Sequence, residues 1–230
     1  MSTTTSSRPT PAAARRPPAI ASETFSQVHS LAQRIQVLLP KPQAGGHIVG
    51  VTSCVHREGV SVVAENLAVC AAGLCDGKIL LVDANSQRAS VASRFGVPQT
   101  PGLTECLAGE LAVRECIAET AHANLWVLPA GESVRRSARF SDEHTAEVFG
   151  DLRQGFELIV IDLPPIGGID ELFIASQLAD GLLLVLEAER VRRQVAQRVV
   201  RQMQQADARL LGVVLNKRKN HIPEWLYRRL

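Results

Sequence analysis

Six short apolar runs punctuate the chain: HIVGVTS at 47–53, KILLVDA at 78–84, NLWVLPA at 124–130, ELIVID at 157–162, GLLLVLEA at 181–188 and RLLGVVLN at 209–216. Each is apolar at successive rather than alternate positions, the pattern of a strand buried on both faces. Between them lie segments with apolar residues at helical spacing, as in 61–75 and 191–206. Strands alternating with helices predict an α/β fold, a mostly parallel sheet with helices on both faces. In such sheets ligands sit beyond the carboxyl ends of the strands. No internal repeat is present.

The N-terminal stretch reads differently. Residues 1–22 are rich in Ser, Thr, Pro and Ala, carry Arg8, Arg15 and Arg16, and contain no acid, the composition of a disordered tail. Its arginines are too few to anchor the protein on anionic lipid by themselves. From Ser22, read as the N-cap, Phe25, Val28, Leu31, Ile35 and Leu38 mark an amphipathic helix that ends before Pro40. The 230 residues, 46% hydrophobic and 21% charged, suit one globular domain over 23–230. A formal charge of +2, with no basic stripe interleaved with aromatics, gives no footprint for nucleic acid. Five cysteines without a C-x-x-C pair read as reduced, buried thiols of a cytoplasmic protein. No apolar run approaches the roughly 20 residues that span a bilayer, so a membrane role would come through docking.

Candidate chemistry concentrates after the first apolar run, in GVTSCVHREGVS at 50–61. A strand, a loop and a helix in that order outline a phosphate-binding loop, G-x-x-x-x-G-K-[S/T], in which backbone N–H groups cradle phosphate, the lysine reaches the β and γ phosphates and the hydroxyl holds Mg²⁺. Gly59 and Ser61 fit that outline. Cys54 stands at the first glycine position, and Val60 stands where the lysine belongs.

Two further strand ends carry acids, Asp83 in VDANSQR and Asp162 in LIVIDLPP. An isolated strand-end aspartate ordinarily caps the next turn. Two at one mouth, beside a loop of this outline, point instead to a site where Ser61, Asp83 and Asp162 hold Mg²⁺ if it is bound.

Together the loop, VDAN, PGLTECLAGE, LWVLPAGE, IDLPP, LADGLLLVLEAERVRR, LGVVLN and IPEWLYRRL resemble the cytoplasmic domain of the bacterial tyrosine autokinases of capsule and exopolysaccharide assembly. That family is related to the MinD and ParA group of P-loop ATPases. The resemblance runs from about Glu23 to Leu230. It implies a P-loop NTPase-like fold, ATP and Mg²⁺ as ligands, a membrane polysaccharide co-polymerase as partner, and phosphorylation of a C-terminal tyrosine cluster. It also places Asn216 where the family contacts adenine.

The departures fall on the chemistry. Where the family loop reads T-S-x-x-P-G-E-G-K-S, this chain reads Thr52, Ser53, Cys54, Val55, His56, Arg57, Glu58, Gly59, Val60, Ser61. The D-x-D motif becomes Asp83, Ala84, Asn85, and Leu163 replaces a threonine. The E-x-x-R-x-x-R ring-assembly motif becomes Glu23, Ser26, His29, and Tyr227, read as a packing residue, is the sole tyrosine. Losing one stabilising group of the lysine's kind commonly costs about 3 kcal/mol in a transition state, or ~10²-fold in rate.

These losses all belong to one catalytic cycle. The expectation is therefore a catalytically degenerate, pseudokinase-like relative that leans away from enzymatic activity and retains a vestigial nucleotide pocket of Cys54, Arg57, Glu58, Gly59, Val60, Ser61 and Asn216. It would act by binding, as a subunit or regulator of exopolysaccharide, capsule or holdfast-type assembly at the inner face of the membrane. Its partners would be a co-polymerase, related assembly proteins or an active paralogous kinase. One alternative is an ATP-binding kinase or ATPase with a rewired loop, in which Arg57 replaces the lysine. The other, a MinD-like positioning factor, is weakened because the signature lysine of those loops would fall at Val55. Cys54 is read as a small residue filling a position where the family often has serine; the other reading is that free N–H groups at a helix N-terminus lower its pKa and favour the thiolate.

Overall fold

The computed structural model describes residues 22–40, 45–132, 143–167 and 169–218. Residues 1–21, and Tyr227 with the rest of IPEWLYRRL, lie outside them. In chain order the elements are α1 (Ser22–Leu38), β1 (His47–Ser53), α2 (Val60–Leu74), β2 (Ile79–Asp83), α3 (Val91–Phe95), α4 (Leu103–Leu107), α5 (Val113–Cys116), β3 (Ala118–Glu119), β4 (Leu125–Leu128), α6 (Glu143–Gly155), β5 (Leu158–Asp162), α7 (Ile169–Leu178), β6 (Gly181–Glu187), α8 (Arg193–Gln205) and β7 (Leu210–Asn216). All six apolar runs are strands. The addition is β3, two residues that pair antiparallel with β4 at the sheet margin.

The strands form one sheet in the order β3-β4-β2-β5-β1-β6-β7, parallel apart from β3. Successive residues of each inner strand enter opposite cores, which is why these runs are continuously apolar. Val49, Val51, Leu81 and Val160 meet α1 and α2 on one face. Ile48, Leu80, Ile159 and Ile161 meet α4, α5 and α6 on the other. Leu182 and Leu184 extend that second face towards α7 and α8 through Leu172, Val199 and Met203.

The start of β1 is fixed by Arg153 of α6. Its guanidinium donates to Asp180 at 2.7 and 3.2 Å, to the Gly46 carbonyl and to the Leu178 carbonyl, both at 2.9 Å. Asp180 also accepts the Ile48 N–H at 2.7 Å. Asp180 thus joins the entry of β1 to the end of α7. Burial pushes the Asp180 carboxyl up, but the Arg153 hydrogen bond, the Ile48 N–H and the charges of Arg153 and His47 outweigh it and hold the pKa below the usual value. A depressed pKa contributes stability that is complete above the unfolded value and lost as the pH falls through the folded one. Arg153→Ala is expected to cost about 2 kcal/mol at neutral pH, a modest figure because both side chains are partly exposed. Thermal unfolding at pH 7 and pH 3 checks this; the difference between variant and parent should shrink at the lower pH.

Candidate functional site

Residues 54–59 connect β1 to α2 at the carboxyl edge of the sheet, with β5 and β6 on either side of β1. The loop turns through two left-handed residues, Arg57 (φ 70°) and Gly59 (φ 90°). For Arg57 that conformation costs on the order of 1 kcal/mol and leaves its side chain exposed at the loop tip. Gly59 is required on a second count: a Cβ there would collide with the Asn216 amide nitrogen.

Glu58 organises the loop from inside. It is 0% exposed, and its carboxylate accepts the N–H groups of Cys54 and Val55, each at 2.8 Å, and of Glu187 at 2.9 Å. The Asn216 amide donates to the Glu58 carbonyl at 2.8 Å and accepts the Lys217 N–H at 2.9 Å. Lys217 Nζ donates to the Arg57 carbonyl at 2.7 Å and pairs with Glu187 at 3.1 Å. Glu58 and Asn216, both expected in the nucleotide pocket, therefore spend these groups on stitching the loop to the ends of β6 and β7.

The loop's first N–H groups are consumed by Glu58, and Cys54 feels the result. Burial, then the Glu58 charge, push its thiol up to about 11. The thiolate reading fails, because burial disfavours the charge and the Glu58 carboxylate takes the N–H groups that would have stabilised it. All five cysteines are free and buried, as their spacing implied.

At the start of α2 no side chain caps the helix and its first turn carries no acid. Val60, at the lysine position, is 8% exposed and packs into the core beneath α1 and α2. No charge is supplied there.

The two aspartates are neighbours in register across β2 and β5, yet their environments differ. Asp83 accepts three backbone N–H groups, from Asn85 at 3.1 Å, Ser90 at 3.0 Å and Val91 at 3.2 Å, and so caps the start of α3. Burial still raises its pKa against those bonds. Asp162 is 1% exposed and neither of its oxygens completes a hydrogen bond. The Ser61 hydroxyl lies close enough to favour its charge but outside hydrogen-bonding geometry. Burial dominates, and with the charges of Asp83 and Glu65 it pushes Asp162 up to about 7 despite Ser61 and Arg94.

Glu65, one helical turn beyond Ser61, completes the group. Its Oε2 accepts from Arg94 at 3.0 Å, its Oε1 has no partner, and burial raises its pKa to about 7 against the pull of Arg94. Neither Glu65 nor Arg94 was anticipated, although the i, i+4 spacing from Ser61 places Glu65 on the same helix face. Lys217 was missed as well, and its place directly after Asn216 is the available signal.

A buried carboxylate with two orphaned oxygens beside a serine hydroxyl fits a hard cation such as Mg²⁺. The described residues hold no set of three or more His, Cys, Asp or Glu arranged for a metal ion, so such a cation would take its other ligands from phosphate and water. The phosphate half of the site fits less well, since its cationic position is a core valine.

No family model matches the chain. It is similar to tyrosine-protein kinase CpsD of Streptococcus agalactiae serotype III, with 31% identity over 172 residues that cover 74% of each protein. Among solved structures it is similar to the VpsO kinase domain, with a TM-score of 0.72 and 30% identity over 85% of this chain and 96% of that one. The septum site-determining protein MinD of Pyrococcus horikoshii, solved with Mg-ADP, shares the fold, with a TM-score of 0.64 at 23% identity over 80% of this chain and 76% of that one.

Proposed function

This chain belongs to the family of bacterial tyrosine-protein kinases, and within that family we propose that it is a catalytically degenerate member that works by binding. The observation that carries the reading is Val60: the phosphate-binding position holds a side chain folded into the core. Phosphoryl transfer depends almost wholly on positioning and charge stabilisation, and this loop has lost its principal charge. When bound, Mg²⁺ would neutralise phosphate charge. Ser61 and Asp162 would hold it, while Asn216 and Glu58 keep the loop in shape.

The role that fits is that of a subunit or regulator of capsule or exopolysaccharide assembly, reached through a membrane co-polymerase, a related assembly protein or an active paralogous kinase. No described helix is long and apolar enough to cross a membrane. A partner held in one state by this chain would be shifted only as far as its two states differ in affinity for it.

The orphaned Asp162 carboxylate favours a second reading, nucleotide binding with little turnover. Calorimetric titration with MgATP, alongside a phosphate-transfer assay, separates the two. Wild type is expected to show no transfer, and Val60→Lys to tighten MgATP binding by about 10²-fold. Thermal unfolding confirms that the variant, which places an amine in a nearly buried position, remains folded. Transfer by the wild type that disappears in Asp162→Asn would refute the degenerate reading.

A further inference from the structure

We propose that the face formed by α8 and the outer strand β7 docks directly on an anionic phospholipid bilayer. This goes beyond the binding role above and does not depend on whether the loop holds nucleotide.

From Arg190 to Gln205 the chain carries five arginines and no acid. Arg190 is neutralised by Glu187 at 2.8 Å. Arg192, Arg193, Arg198 and Arg201 are exposed, and none has an ion-pair partner among the described residues. By contrast, Arg94 and Arg153 are committed to Glu65 and Asp180. A helix that buries Val199 and Met203 and exposes Arg193, Arg198 and Arg201, with Arg192 at its N-cap, concentrates positive charge for which the described residues supply no ion-pair partner.

The same face is apolar between its charges. Arg193 and Arg201, two helical turns apart, rim a groove of about 430 Å³ floored by Leu184, Leu186, Val200 and Val213. Val213 is 51% and Leu215 58% exposed on β7, the last strand of the sheet among the described residues. Arginines flanking exposed aliphatic side chains are what an interfacial surface needs, the guanidinium groups at the phosphates and the apolar groups at the acyl boundary.

The chemistry discriminates among occupants. Single-stranded nucleic acid would be expected to find stacking platforms, and no Phe, Trp or Tyr occurs between Gly181 and Arg218. A second copy of this face would bring like charges together. An anionic bilayer satisfies both the arginines and the valines.

The test is co-sedimentation of the full-length protein with vesicles of phosphatidylcholine alone and of phosphatidylcholine containing about one third phosphatidylglycerol. Binding is expected only to the anionic vesicles and should weaken as salt shortens the screening length. Each arginine near the surface contributes about five-fold, so the triple variant Arg193→Gln, Arg198→Gln, Arg201→Gln should bind on the order of 10²-fold more weakly. A matched variant with Arg8, Arg15 and Arg16 changed to Gln should bind as the parent does. Arg193, Arg198 and Arg201 are exposed, and circular dichroism verifies the fold of each variant. Loss of binding in the tail variant but not the helix variant overturns the proposal. So does equal binding to both vesicle types, no binding to either, or retention of duplex DNA without retention of vesicles.

Discussion

Replacing Glu58 with alanine is expected to destabilise the protein by about 4 kcal/mol, because it leaves three backbone donors without their charged acceptor. The N–H groups of Cys54, Val55 and Glu187 all end on this one carboxylate. The side chain is wholly buried, so water cannot take its place without opening the loop. For a domain of this size the loss corresponds to a fall in Tm of roughly 10 °C. Glu58→Gln keeps one acceptor oxygen and should lose about half as much. Urea unfolding followed by circular dichroism measures both, and a loss below about 1 kcal/mol for alanine would mean the loop does not rest on Glu58. Cys54 offers an independent check. With the Glu58 charge removed, one of the two causes holding its thiol at about 11 disappears, and it should react faster with a thiol reagent at fixed pH.

Asp162→Asn is expected to work in the opposite direction and stabilise the protein at pH 8, by on the order of 2 kcal/mol. The sign follows from linkage. Asp162 and Glu65 are pushed up to about 7 from ordinary values of 3.8 and 4.5, so between those limits the folded state holds protons that the unfolded state has released. Stability from these groups is therefore complete below about pH 4, is lost as the pH rises through about 7, and levels off above it. An amide at position 162 removes its share of that slope, and the gain vanishes below about pH 4. The full shift would correspond to on the order of 4 kcal/mol, and the buried amide's own unmet hydrogen bonds offset part of it. Melting curves from pH 4 to pH 8 decide the matter. A variant less stable than wild type at pH 8 would show that a partner for Asp162 exists. Added MgATP gives a second reading of the same site, since a ligand that uses this carboxylate should raise the Tm of the parent and leave the variant unmoved.

The sheet was legible because its strands are buried on both faces and therefore apolar without interruption. β3 was not, since two residues carry no periodicity and pair only because β4 offers them an edge. In the site, both aspartates present the same outward pattern, an acid after an apolar run. What separates them lies in the residues that follow. After Asp83 come free N–H groups at the head of α3, which it caps. After Asp162 come Leu163, whose N–H goes to Val51, and then Pro164 and Pro165, which have none to give. That difference can be read in the sequence once it is asked which backbone donors are available.

The role of Glu58 was out of reach, because one of its partners, Glu187, is 129 residues away in the chain. The thiolate reading of Cys54 failed at short range instead: Glu58, four residues on, folds back to take the N–H groups of Cys54 and Val55. The mouth of the site is as polar as its motif implied; which groups remain unspent is a property of the assembled fold.

The strand order also governs when the site can exist at all. β1 lies between β5 and β6, so its two hydrogen-bonded edges are matched only after residues 158–187 have been made. On the ribosome the loop emerges early, attached to an apolar strand with no neighbour, and it stays a template for mispairing until the last third of the chain arrives. Contacts of such sequence separation fold slowly. A truncation that stops short of β6 is therefore expected to leave β1 exposed and aggregation-prone rather than to yield a smaller working domain, whatever becomes of the loop itself.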